Sequence, residues 1–329
     1  MLNSPNLSRY LPNLRLSLTN ELLYSTNSIP EDTIIFKKGD TLLNQKANYF
    51  YQNTYFTTDV SQKFQNVLWD FDWRMYLLGY EAGDHSIAIT ANLFADSAQT
   101  IGLTLKASEE AITPSFYYNN YFSNHFIWFN SFTRVQKQVL SAVASMKNPE
   151  ISASADYIAL DNYVHFNSNA KPTQDINNIY IMAYSLKSRF EFWKFGTEND
   201  VIWQLAKTDS IHVPPLIFYN STDFQNVFHF FTGGKLYSKI GFDLYYHNSY
   251  YQDAYMPATG IFYLQSKIPS GNNLQVDFHI TMKIKSVSFY IKYSHANAGY
   301  FNDIRQFTAE HYPMLPATIS YGINWLFYD

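Results

Sequence analysis

The sequence contains no cysteine, which excludes disulfide frameworks and thiolate metal sites. It is short of charge: Asp, Glu, Lys and Arg make up 15% of the residues, against about a quarter in ordinary soluble domains. The net charge of −4 provides no basic excess for nucleic acid and no acidic block for a solvating tail. Long apolar runs are also missing. The longest spans about six residues, Ile179 to Tyr184, whereas a membrane-crossing helix needs about 20. The opening MLNSPNLSRYLPNLRL lacks the apolar core of a secretory leader, so an exported chain is expected to have lost one.

What is present in excess is aromatic. Tyr (28), Phe (27) and Trp (6) together reach 19%, roughly twice the ordinary share, while mean hydropathy stays below zero at −0.25. The pattern explains how both hold. In LQVDFHITMKI, residues 274–284, the apolar Leu274, Val276, Phe278, Ile280, Met282 and Ile284 alternate with Gln275, Asp277, His279, Thr281 and Lys283. A period of two is a strand with one oily and one wet face. The same alternation recurs in 67–77, where Trp69, Phe71 and Trp73 oppose Asp70, Asp72 and Arg74. It returns in 87–93, 101–106, 236–247, 287–294 and 318–327, the last pairs carrying Phe289, Ile291, Ile323 and Trp325 on the oily side. Less regular segments start near Leu14, Ala47, His125, Ile151, Ile179, Val201, Phe224 and Gly260. This predicts roughly 14 to 16 strands of about 9 to 15 residues, the length of membrane strands and well above the soluble average.

Connections of two lengths are expected. Short hairpin turns fall at Lys147–Asn148–Pro149, Thr232–Gly233–Gly234 and Lys285, and another short turn at 81–84. Long loops rich in Asn, Tyr, Ser and Pro fall at 25–44, 167–176, 208–222, 248–259 and 297–316. Short turns at one end and long loops at the other are the layout of an outer-membrane barrel. The fold predicted is all-β, a single antiparallel transmembrane β-barrel domain over 1–329, with residues 1–40 the least patterned. A soluble sandwich also alternates, but its outer face would carry more Lys and Glu than these polar faces do.

In such a barrel the apolar set Trp69, Phe71, Trp73, Phe278, Ile280, Phe289, Ile291, Ile323 and Trp325 faces outer-membrane lipid. Asp70, Asp72, Arg74, Lys106, Lys187, Arg189, Glu191, Lys239, Asp243, Asp277, His279, Lys283 and Lys292 then line the lumen, where charge decides what passes. The chain is expected not to be an enzyme and to need no cofactor. It has neither a Gly-x-Ser-x-Gly nor an HExxH motif, and His212, His229, His247, His279 and His295 read as lumen or girdle residues. His311 beside Glu310 has no second metal ligand at helical spacing, and Glu109–Glu110 and Asp209 read as solvated tips.

Four stretches carry a resemblance. These are IGFDLYYHNSYYQDAYMPATGIFYLQ (240–265), KIKSVSFYIKYSHANAG (283–299), HYPMLPATISYGINWLFYD (311–329) and SNHFIWFNSF (123–132). The chain resembles the Bacteroidetes family named "putative porin". The resemblance implies export and insertion into the outer membrane, with the aromatic C-terminal strand read by the insertion machinery. The function expected is a porin-like channel for passive diffusion of small polar solutes. The alternative is a non-conducting barrel that serves as a subunit of a larger complex with other outer-membrane proteins.

Overall fold

The computed structural model describes residues 12–27, 34–37, 40–43, 47–123, 125–230, 234–299 and 307–327. The expected turn residues Thr232 and Gly233, and parts of the loops at 25–44 and 297–316, lie outside these. So do Tyr328 and Asp329.

Fourteen strands form one antiparallel sheet in which each strand pairs with its neighbours in sequence. They are β1 (Asn13–Asn27), β2 (Ala47–Phe64), β3 (Val67–Gly79), β4 (His85–Phe94), β5 (Ile101–Ile112), β6 (Val135–Lys147) and β7 (Glu150–Asp161). The second half holds β8 (Ile179–Phe192), β9 (Phe195–Ala206), β10 (Leu216–Phe230), β11 (Gly234–His247), β12 (Asn273–Ile284), β13 (Val287–Ser294) and β14 (Thr318–Trp325). Among the described residues no ladder joins β1 to β14, so the sheet is open there. Two segments read as strand starts join the loops instead. Near His125 the chain makes only a three-residue ladder, Asn120–Phe122 with Ile127–Phe129, and near Gly260 only Ala254–Met256 with Ile261–Tyr263. Conversely, the loop expected at 208–222 ends early, because Leu216 to Phe224 pair with β9.

The register fixes which residues share a face. Directly opposed residues of an antiparallel pair point the same way. Across β10 to β14, Asp223 opposes Gly241, Gly241 opposes His279, His279 opposes Lys292, and Lys292 opposes Ser320. On the other face Phe224 opposes Ile240, Ile240 opposes Ile280, Ile280 opposes Ile291, and Ile291 opposes Tyr321. The apolar face is uncovered: Phe278 is 50% exposed, Ile291 43% and Ile323 67%. The same holds for Leu14, Leu16 and Leu18 at the far edge. A water-soluble chain would not present so large an apolar surface, whereas lipid is the natural solvent for it.

Five of the short connections lie at one end. Residues 65–66, 95–100, 148–149, 193–194 and 285–286 close hairpins there. Gln65, Trp193 and Lys285 take the left-handed conformation, with φ of 49°, 56° and 53°. Exposed Phe64, Phe192, Trp193, Phe195, Phe230, Trp325 and Phe327 gather at this rim, where amphipathic rings settle at an interface. The turn at 80–84 is tight but lies at the opposite end, among the long loops.

The hydrophobic core is not inside a sandwich. Its buried members, including Trp128, Leu160, Val164, Phe166, Ala170, Ile179, Ala254 and Ala309, cluster at the long-loop end. The molecule is thus a lipid-compatible wall with a packed loop assembly at one mouth.

Candidate functional site: the polar face and its loop cap

The polar face carries charge in cross-strand pairs. On β10 and β11, Lys239 Nζ lies 2.8 Å from Asp223 Oδ1. Lys292 Nζ on β13 lies 2.9 Å from Asp277 Oδ2 on β12 and 3.6 Å from Asp243 Oδ2 on β11, reaching past the strand between. Asp243 also accepts from Ser221 Oγ at 2.8 Å and has His279 Nδ1 at 3.6 Å. Gly241 sits at the middle of this network. A Cβ there would come within 2.5 Å of Thr222 O and 2.7 Å of His279 Nε2, so only glycine admits the imidazole. Gly322 does the same for the Tyr290 ring laid over it. Further along the wall, Lys187 Nζ is 3.1 Å from Asp200 Oδ2, and Arg189 Nη2 is 3.1 Å from Glu191 Oε1.

The register places every charged residue expected in the lumen on this one face. Asp70, Asp72 and Arg74 oppose Ser61, Asp59 and Thr57, and Lys106 opposes Thr90 and Ser141. Lys187, Arg189 and Glu191 oppose Asp200, Glu198 and Gly196, and Lys283 opposes Tyr237 and Ser288. Trp69, Phe71, Trp73, Phe278, Ile280, Phe289, Ile291, Ile323 and Trp325 fall on the opposite face. Lys292, Asp243, Asp277 and His279 meet in one network, as do Lys239 and Asp223, whereas Asp70, Asp72 and Arg74 stand apart near the far edge. Of the other candidates, His311 Nε2 is 3.6 Å from Glu310 Oε1 and is exposed. Among the described residues no three His, Asp or Glu side chains are placed to hold a metal ion.

The loops form a second feature that the pattern of strands does not announce. The loop between β5 and β6 is pinned at both ends to one carboxylate. Asp84, 2% exposed, accepts from Thr113 N and Thr113 Oγ1 at 2.7 Å each and from Arg134 Nε at 2.7 Å. The single helical turn Phe116–Asn119 follows. Trp128 stacks on Tyr121 with centroids 4.5 Å apart, meets Tyr117 edge-on at 5.7 Å and donates Nε1–H to Tyr117 O at 2.8 Å. Phe166, from the hairpin Val164–Phe166 with Pro172–Gln174 between β7 and β8, packs on Tyr117, Tyr118 and Trp128.

These loops hold one another across the mouth. Tyr117 Oη donates to Thr259 O at 3.0 Å, linking the β5–β6 loop to the β11–β12 loop. Leu264 N donates to Phe166 O at 2.9 Å, and Ser270 Oγ to Phe307 O at 3.2 Å in the β13–β14 loop. In a flat sheet β6 and β11 would stand about 24 Å apart, so contact between their loops means that the loops lean over one face. It is the polar face: Phe116 packs on Tyr51 of β2, and Leu160 and Ile179, both on that face, are buried under the cap. Burial pushes the Tyr117 phenol up to about 12, so it stays a donor at any physiological pH.

One titratable cluster lies in the cap. His165 Nδ1 stands 3.6 Å from Asp175 Oδ2, too far for a hydrogen bond, and neither atom has another partner. Asp253 and His212, each from a different loop, add their charges nearby. Burial lowers the His165 pKa from its usual 6.5, outweighing Asp175 and Asp253, which raise it. Burial likewise raises Asp253, against His212 and His165. A base depressed in the closed cap is protonated first when the cap opens, so closure is favoured above 6.5 and weakens as pH falls below it. Amide exchange in the loops, corrected for its intrinsic pH dependence, should therefore speed up from pH 7.5 to 5.5, and His165→Gln should flatten that course. An unchanged course in His165→Gln would remove His165 as its source.

The comparisons with known proteins follow from this architecture. A family described as "Putative porin" matches residues 3–329. The ferric enterobactin receptor PfeA, solved in complex with BCV-L6, superposes on 97% of this chain with a TM-score of 0.68 at 9% identity. The siderophore receptor PirA from Acinetobacter baumannii superposes on 95% with a TM-score of 0.59 at 12% identity. The chain spans about half the length of each receptor, 52% in both cases. Likeness at this identity is a likeness of fold. No curated protein matches the chain.

Proposed function

We propose, from the premise that this chain belongs to the "Putative porin" family, that it is an outer-membrane channel for passive diffusion of small polar solutes. The channel would be narrowed at one mouth by the loop cap. The observation that carries the reading is the combination of an uncovered apolar face with a charged, cross-paired polar face under interlocked loops. The strand directions suit a closed wall. β1 runs toward the long-loop end and β14 away from it, so joining their free edges gives an antiparallel pair. Lipid demands such closure, since each unpaired backbone group there costs several kcal/mol. Lys187, Arg189, Lys239 and Lys292 each pair with a carboxylate, so along that stretch of wall the pore would discriminate more by width than by charge.

The density of the cap favours a second reading, a non-conducting barrel that serves a larger outer-membrane assembly. Planar-bilayer recording separates the two. The purified protein is expected to give steady ohmic steps with weak ion selectivity. A folded, heat-modifiable sample that gives none would put the scaffold in place of the channel.

A further inference from the structure

Between β8 and β10 the apolar face carries a hydrogen-bonded cluster of polar side chains. Ser188 on β8, Thr197 and Asn199 on β9, and Asn220 and Thr222 on β10 all lie on the outward side. The register opposes Ser188 with Asn199, Asn199 with Asn220, and Thr197 with Thr222. Their side chains are hydrogen-bonded to one another. Asn220 Nδ2 donates to Asn199 Oδ1 at 2.7 Å and to Thr197 Oγ1 at 3.1 Å, and Thr222 Oγ1 donates to Asn220 Oδ1 at 3.1 Å. The Thr197 and Thr222 hydroxyls are 3.0 Å apart, and Asn199 Nδ2 reaches Ser188 Oγ only at 3.5 Å.

The patch extends into the apolar belt from the short-turn rim that Phe195 marks. Phe195 and Val201 bracket it along β9, and Phe218 and Phe224 along β10. Around it stand exposed Phe190, Phe195 and Trp203. Acyl chains offer amides and hydroxyls no partner, so a lipid-facing wall gains nothing from five of them together. Nor does the patch carry the charge that would draw a headgroup phosphate into the belt. A protein surface does reward it. In lipid, where apolar contact drives little association, interhelical hydrogen bonds and close packing supply the attraction, and the reason lies in the solvent rather than in the helix.

The chemistry also selects the partner. Asn amides and Thr and Ser hydroxyls each donate and accept, so the patch complements a copy of itself turned through a two-fold axis. We propose that a second copy of this chain docks here. The axis would run along the membrane normal through Asn199 and Asn220, with Phe190, Phe195 and Trp203 as an apolar rim. The proposal rests on the outward face meeting lipid and is independent of whether the barrel conducts.

The absence of native cysteine makes the test clean. Asn220→Cys and Phe71→Cys, the latter outward on distant β3, are each oxidised with copper phenanthroline in intact outer membranes. Asn220→Cys is expected to give a covalent dimer of twice the chain mass as the main product, and Phe71→Cys background only. Asn199→Leu/Asn220→Leu should turn the dimer into a heat-modifiable monomer by sedimentation in detergent. A folded Asn220→Cys protein that stays monomeric, or that cross-links to a chain of different mass, overturns the second copy as occupant. Rapid labelling of both cysteines by a membrane-impermeant maleimide would instead place the whole face in water and overturn the premise.

Discussion

Ile240→Arg is expected to cost the folded protein about 2–4 kcal/mol in a bilayer, the penalty for a cation near the midplane on a barrel's lipid face. Ile240 is the seventh residue of the fourteen in β11, flanked across the ladder by Phe224 and Ile280, and 48% exposed. In water that exposure would make the change nearly neutral, within about 0.5 kcal/mol. The two solvents thus predict effects several-fold apart for one substitution. Thr281→Arg is the internal control. Thr281 opposes Lys239 and Tyr290 on the polar face, one residue away from the outward row, and an arginine there stays on the wet side of the wall. Urea unfolding in vesicles, followed by the fluorescence of the six tryptophans, should show the midpoint falling sharply for Ile240→Arg and little for Thr281→Arg. Equal, small shifts would mean that the apolar face is not in lipid, and the channel reading would go with it.

How much of this was legible beforehand depends on whether a residue obeys a period. Strand faces do. Trp69, Phe71 and Trp73 against Asp70, Asp72 and Arg74 could be sorted by counting, and the ladders place them on opposite faces as sorted. The loop cap does not. Trp128 and Phe166 become core residues through contacts between irregular segments, and aromatic alternation near His125 imitates a strand that the chain does not make. Asp84 and Arg134 are fifty residues apart, and nothing local in either tells that one carboxylate pins both ends of a loop. A clue was present in composition: part of the aromatic excess lies in the cap, in Tyr117, Tyr121, Trp128 and Phe166. The outward Asn and Thr residues show the opposite failure. Alternation in β9 is weak because polar residues stand on both faces, so the segment read only as irregular.

The cap should also be separable from the wall, and that separation is the strongest functional test. Trp128 is 6% exposed and Phe166 8%, and truncating a buried ring of this size costs about 3–5 kcal/mol. That exceeds the stability a surface loop usually holds on its own, so Trp128→Ala/Phe166→Ala should release the loops while the ladders of β1 to β14 stay formed. In planar bilayers the double variant is expected to raise unit conductance several-fold over the parent and to make it noisier. Protease should cut near Tyr117–Tyr121 without loss of the heat-modifiable band. The Tyr117 to Thr259 bond explains why one pair of rings matters at a distance: it ties the loop holding Trp128 to the loop between β11 and β12. Releasing one side frees both. If conductance were unchanged with the loops demonstrably open, the narrowest point would have to lie deeper, where Lys292, Asp243 and Asp277 meet across β11, β12 and β13. Neutralising that cluster would then be the change that alters passage.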